Sequence, residues 1–286
     1  MTLNLRSEAE ALARQLPSLN FKADATDAAH VGSAGRRRAG NGEHFWQYRH
    51  YRQEDDANRV DWRRSARGDE HFVRETELET ARTVQFWCDD DAGFHWKGEG
   101  DLRTKAEEAR LLMLALAILM SKDGERIGAL GSGRSASFGA RAIDRLNDDL
   151  LRGTAGHFPT APKGTATLII ASDFYAPVSE WADRLRPLAA QCPEGVLLAV
   201  SSPVEVSFPF EGRVKLSQPG TSATRIVGRA ETLQAQYQER FFAQREALLS
   251  LANRMGWRFV AQTVGQSSLN AAARLKATLE TIGNRI

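Results

Sequence analysis

The sequence predicts an α/β protein, a doubly wound and mostly parallel sheet preceded by an N-terminal arm or small β subdomain. Three observations lead there. From Arg82 onward, strand-like segments alternate with helical ones at the spacing of βαβ units. Several of the strand segments, such as TVQFWC, ATLIIAS and GVLLAVSS, are mainly apolar without alternation, as strands covered on both faces are. Upstream, a passage rich in glycine and arginine carries no helical or strand period. The expected division is residues 1–80 as N-terminal helix and arm, and residues 81–286 as the α/β domain.

Taken in order, residues 3–16 place Leu5, Ala9, Leu12 and Leu16 on one helical stripe, with Pro17 just past the end. VGSAGRRRAGNGEHF reads as loop, an arginine-rich segment follows, and HFVRETELE alternates like an exposed strand. TVQFWC is the first buried strand, and residues 104–122 form a long helix. That helix is apolar over most of its faces, which marks a core helix under a sheet. RIGALG is a strand, ARAIDRLNDDLL a helix, ATLIIAS a strand, VSEWADRLRPLAAQ a helix and GVLLAVSS a strand. GRVKLSQ reads as a short strand near an edge; a helix then covers residues 231–254, WRFVAQ is the last strand and residues 267–282 the last helix.

Composition narrows the function. The formal net charge is only +2 across 286 residues, which argues against a whole-molecule nucleic-acid or membrane-surface binder. Cys88 and Cys192 lie far apart with no CxxC spacing, as buried thiols of a reducing compartment do. The first residues lack the apolar core of a signal peptide, and the longest apolar run, residues 111–120, is about half of a membrane span. The chain therefore reads as soluble and cytoplasmic.

Ligands of open parallel sheets sit beyond the carboxyl ends of the strands, where strand order reverses. Two strands end in acids there: WCDDDAGF supplies Asp89, Asp90 and Asp91, and IIASDFYAP supplies Ser172 and Asp173. With the usual winding, Asp89 and Asp173 face one crevice. Converging oxygen ligands suit magnesium or manganese, whereas acids after strands are also ordinary caps and turn residues. GSGRSASFG lacks the order and the lysine of a phosphate loop, the six histidines form no metal pair, and no serine or cysteine sits in a nucleophile elbow.

Residues 49–67 hold six arginines and four acids with Tyr51 and Trp62 between them. A solvated face would favour Lys and Glu, and a nucleic-acid surface would not carry Glu54, Asp55, Asp56 and Asp61 among its arginines. Mutual pairing explains both signs: Asp55 or Asp56 with Arg49 or Arg59, and Asp61 with Arg63, Arg64 or Arg67, covered by Trp62. Asp61 and Trp62 are accordingly expected to be largely buried.

GNGEHFWQYRHYRQEDDANRVDWRRSARGDEHFVRETELE closely resembles the signature of the domain of unknown function 58 family. The matching positions are Gly42, Glu43, Phe45, Arg49, Tyr51, Asp55, Asp56, Arg59, Asp61, Trp62, Arg63, Ser65, Ala66, Arg67, Arg74 and Glu75, with Glu54 in place of a glycine and Val60 of an isoleucine. The resemblance implies a von Willebrand factor type A-like domain whose usual metal site is Asp-x-Ser-x-Ser, a threonine, and a later Asp. Carried over, Asp89 and Asp173 match the two outer acids, Asp91 and Gly93 replace the serines, and Thr154 or Thr160 stands for the threonine. Either Asp91 ligates a Mg or Mn ion directly, or the site is degenerate and binds none. Without a cation the three neighbouring acids must be neutralised, and a signature arginine is a candidate.

The resemblance further implies a non-catalytic adaptor or scaffold partnered by a MoxR-type AAA+ ATPase or another protein, with no nucleic acid and no membrane. Many family members carry N-terminal membrane helices; this chain resembles the shorter, soluble branch. The alternative is a Mg-dependent phosphohydrolase with Asp89 as nucleophile and Asp91 as acid/base, although that chemistry wants a threonine where Gly93 stands.

Overall fold

The computed structural model describes residues 2–18, 39–52, 60–66, 68, 70–77, 81–98, 100, 103–154 and 158–283. They belong to two compact units, one of Met1–Ala23 with Arg82–Arg285, the other Asp24–Ala81. Helix α1 (Thr2–Gln15) opens the chain and belongs to the first. The sequence grouped it with the arm. Its apolar stripe instead joins the core of the α/β unit through Ala9, Leu12 and Ala13, because α/β helices leave a groove that such a stripe fills.

In the smaller unit, β1 (Ala39–His50) pairs antiparallel with β2 (Phe72–Glu77), and the one-turn helix α2 (Trp62–Ser65) lies between them in sequence. The glycine-rich lead was expected to be loop throughout; its residues 39–45 are strand. Register shifts between Gly40 and Phe45, and between Phe45 and Gln47, absorb the glycines as bulges. Asp61 caps α2, its Oδ1 accepting the Arg64 backbone N–H at 3.1 Å and its Oδ2 the Tyr48 hydroxyl at 3.0 Å. The Asp61 N–H donates to the Phe72 carbonyl at 2.8 Å. Ser65 completes the brace: its hydroxyl donates to the Asp61 carbonyl and accepts the Phe72 N–H.

The α/β unit runs β3 (Thr83–Cys88), α3 (Lys105–Lys122), β4 (Arg126–Ala129), α4 (Ala140–Arg152), β5 (Thr167–Ser172), α5 (Val178–Gln191) and β6 (Glu194–Ser201). It continues α6 (Pro203–Ser207), β7 (Val214–Ser217), β8 (Thr224–Val227), α7 (Gln234–Arg254), β9 (Arg258–Thr263) and α8 (Ser268–Gly283). Five parallel strands form one sheet in the order β4-β3-β5-β6-β9. This is the doubly wound fold that the apolar strand runs predicted.

Side-chain alternation along each strand feeds two cores. Val84, Phe86, Ile169, Ala171, Val196 and Leu198 face α1, α3, α4 and α8, while Trp87, Leu168, Ile170 and Leu197 face α5 and α7. Helix α3 is buried nearly all round because α1 covers the side turned from the sheet. Its start is fixed by a capping box between Thr104 and Glu107. β7 is not an edge strand of this sheet; it pairs only with β8, seven residues on, in a separate antiparallel ladder. Four half-exposed residues cannot supply the continuous apolar surface that the central sheet requires. Among the described residues no helix is long and apolar enough to cross a membrane.

Candidate functional site

β3 and β5 are neighbours, and the chain leaves them in opposite directions across the sheet. That is the topological switch point, where the splayed strand ends leave a crevice. The Asp89 N–H donates to the Ala171 carbonyl at 2.9 Å, which carries the β3–β5 pairing one residue past the strand. The Asp89 carboxylate accepts the Ser172 hydroxyl at 2.6 Å on one oxygen and the Asp91 N–H at 3.1 Å on the other. Asp91, exposed, accepts the Gly93 N–H at 3.2 Å and so closes the turn. Asp90 accepts the Thr154 N–H at 3.0 Å, and Thr154 accepts the Trp87 indole N–H at 3.2 Å.

Asp89, Asp90, Asp91, Thr154, Trp87 and Arg184 line a crevice of about 360 Å³. Of the two candidate threonines, the structure brings Thr154 to this crevice; Thr160 is exposed and does not line it. The turn between β7 and β8 reaches the same acidic loop, where a Cβ on Gly220 would lie 2.8 Å from that of Ala92. Gly220 has φ +75°, so both its backbone and its clearance favour glycine.

Asp173 is engaged from the other side. Lys105, at the first turn of α3, donates from Nζ to Asp173 at 2.9 Å and to Glu205 of α6 at 2.6 Å. The ammonium also sits 5.2 Å from the Tyr175 ring centre. The Lys105 side chain is 2% exposed and its two carboxylates 13% and 15%, so the cluster is nearly dry. A second Asp173 oxygen accepts the Tyr175 N–H, and Glu205 also accepts the Ser202 N–H in a capping box. One lysine thus ties α3, the β5–α5 loop and α6 together at the sheet's carboxyl edge. A signature arginine was expected to neutralise Asp89, Asp90 and Asp91; Lys105 bonds Asp173 and Glu205 and none of those three.

The acids of this face are each engaged by neighbouring groups. Among the described residues no three His, Cys, Asp or Glu side chains are grouped to hold a metal ion. Asp89 is spent on Ser172 and a turn N–H, Asp91 on its own turn, and Asp173 on an ammonium. Gly93, in the place of a serine, would set a Cβ 3.7 Å from the Asp173 carboxylate, so the missing hydroxyl belongs at this point. Burial pushes the Asp89 carboxyl above its ordinary value, against the pull of the Ser172 hydrogen bond; repulsion from Asp173 and Asp91 adds less. The order of causes differs from the mutual repulsion that the sequence suggested. Burial acts on the thiols in the same way, pushing Cys88 up to about 12 and Cys192 to about 11.

The signature residues form a brace of their own. Ser65 is buried, Tyr51 is half-buried and 6.5 Å from the His71 ring, and Arg63 is exposed. Trp62 departs from expectation at 61% exposed. As the residue after the Asp61 cap it starts the helical turn, and only its edge meets His71, with ring centres 5.7 Å apart. Arg64 instead covers the brace, its guanidinium 4.4 Å from the Tyr48 ring centre. Glu43, Arg49, Arg74 and Glu75 fall on β1 and β2, but their side chains are outside the described set, as are Asp55, Asp56, Arg59 and Arg67 entirely.

Sequence reasoning missed Lys105 and Glu205. Both left a trace. A lysine in a helix's first turn opposes the helix dipole and calls for a compensating anion. Ser202-Pro203-Val204-Glu205 is a capping-box pattern directly after an apolar strand.

Comparison with known proteins adds the following. The profile described as "Protein of unknown function DUF58" matches residues 47–247. No curated protein matches the chain. Among solved structures, the conserved hypothetical protein BatB from Bacteroides thetaiotaomicron is similar at 11% identity and a TM-score of 0.38, covering 71% of this chain and 98% of that one. With the signature brace, the doubly wound sheet and a match that spans most of its length, the chain belongs to the DUF58 family.

Proposed function

We propose that the protein is a non-catalytic adaptor that binds a protein partner on the face formed by the carboxyl ends of β3 and β5. The observation that carries this reading is the Lys105–Asp173–Glu205 cluster. An internal ammonium stands on the acid that a metal or a substrate would otherwise need. The remaining acids of the crevice hold their own loops in shape and leave no nucleophile–base pair among the described residues. What the face still offers is a fixed rim of charge, with Asp91 acidic and Arg184 basic around Trp87, which suits recognition more than chemistry. The family resemblance supports a MoxR-type AAA+ ATPase as the partner. No observation favours the phosphohydrolase alternative.

The test is a titration of the purified protein with the MoxR-type ATPase of the same cell, assembled with a non-hydrolysable nucleotide. Saturable binding is expected, weakened about tenfold by Asp91→Lys or Arg184→Glu, since each reverses a rim charge. No binding, or binding indifferent to both substitutions, would contradict the proposal.

A further inference from the structure

A second cavity, of about 270 Å³, opens beside the lysine cluster and is walled by Tyr175, Tyr237, Phe241, Leu248, Arg240 and Arg245. Its floor is rigid. Gln244 donates to the carbonyls of Phe174 and Ala176, pinning the β5–α5 loop to α7. Tyr237 is stacked on Phe241 with ring centres 6.1 Å apart and is backed by Phe208 at 4.6 Å.

Arg245 is the unusual member. Its guanidinium is half-buried, lies 4.4 Å from the Phe241 ring centre, and donates to the Ser201 hydroxyl at 2.7 Å. No carboxylate among the described residues pairs with it, nor with Arg240 at the rim. Desolvation draws the Arg245 pKa down, while Tyr175, Glu205 and Tyr237 pull it back up. Two arginines and Lys105 outnumber the neighbouring Asp173 and Glu205, so the local balance is positive. The Tyr175 and Tyr237 hydroxyls, 3.5 Å apart, sit at the mouth with protons to donate, and burial raises both pKa values further.

We infer that this cavity binds a carboxylate attached to an apolar or aromatic group, as at the C-terminal residue of a peptide chain, with the Arg245 fork on the carboxylate and the Tyr237–Phe241 wall on the side chain. A planar fork on an aromatic face matches a carboxylate in two-point fashion, and a guanidinium with no carboxylate bonded to it in a partly dry pocket gains from such a partner. A phosphate is less suited, because Asp173 and Glu205 lie close by and the walls are mainly aromatic. Asp173 of the lysine cluster also lines this cavity, but the peptide probes read the cavity alone, so this inference and the adaptor reading can fail separately.

The experiment titrates the full-length protein, by calorimetry, with three probes. They are the peptide Ala-Ala-Ala-Phe with a free carboxylate, the same peptide as its C-terminal amide, and 3-phenylpropionate. The free-acid peptide is expected to bind saturably and about tenfold or more tighter than the amide, the effect of one charge-assisted hydrogen-bond pair. Arg245→Gln should erase that difference. Should this variant fail to fold, Arg245→Lys, which keeps the charge and loses the fork, should weaken the free-acid peptide several-fold and leave the amide unchanged. No saturation by the free-acid peptide up to about 10 mM overturns the inference, as does equal affinity for acid and amide. Equal affinity for 3-phenylpropionate and the peptide overturns the chain-end assignment and makes this a small-acid site.

Discussion

Replacing Lys105 by methionine tests the cluster at the sheet's carboxyl edge. The change keeps most of the side-chain volume and removes the ammonium, so Asp173 and Glu205, 13% and 15% exposed, are left with no cation between them. Each N–O contact, at 2.9 and 2.6 Å, has a gross attraction of about 6 kcal/mol at an effective dielectric near 20. Desolvation of the three charges offsets much of that, and breaking a buried pair by removing one partner costs about 3–5 kcal/mol net. The cost must depend on pH. Glu205 has its pKa raised above the ordinary 4.5 by burial, with Lys105 pulling it back down. A carboxyl raised in the folded state contributes stability that is fully present below its unfolded value and is lost as pH rises through its folded value. Without Lys105 the folded value climbs further, so the variant loses more stability than the parent as pH rises. Urea unfolding followed by tryptophan fluorescence at about pH 8 and about pH 5 should therefore show a smaller deficit at the lower pH. Adding Asp173→Asn and Glu205→Gln to Lys105→Met should restore most of the loss. A deficit below about 1 kcal/mol, or one that is equal at both pH values, would refute the reasoning.

Three other outcomes follow from single sites. Gly195→Ala should destabilise the α/β unit by about 3 kcal/mol or more, because its Cβ would fall 2.2 Å from the Trp257 ring; thermal unfolding by circular dichroism reads this. Asp61→Ala should loosen the arm by about 1 kcal/mol or more through loss of the α2 cap and the Tyr48 bond, seen as faster amide exchange near residues 61–72. Cys88 and Cys192 should resist a thiol reagent in the native protein at neutral pH and both react after unfolding, since burial keeps them as thiols.

What could be read from the sequence follows the physics of each element. β3, β5 and β6 announced themselves because a strand covered on both faces is mainly apolar and does not alternate. Helix α3 did so because its opposite sides meet the sheet and α1. That α1 would serve as this cover was not legible, since an amphipathic stripe specifies burial and not the surface that buries it. The acids after β3 and β5 follow adjacent strands at the switch point, because topology puts strand ends there whatever the side chains do, but Asp173 lines the second cavity and not the crevice of Asp89. Their partner was hidden. Lys105 and Glu205 are 100 residues apart, and Glu205 has a local role as a helix cap that accounts for it alone. Trp62 misled for the opposite reason: a large aromatic among charges suggested burial, while the neighbouring cap decided its direction.

The proposed function rests on an internal lysine, Lys105, holding Asp173 and Glu205 in place of a divalent ion. Titration of the purified protein with Mn²⁺, read by the paramagnetic signal of the free ion, addresses it directly. The account predicts no saturable binding up to about 1 mM in the parent chain and no change on Asp173→Ala. One equivalent of Mn²⁺ bound tightly, and lost on Asp173→Ala, would contradict it.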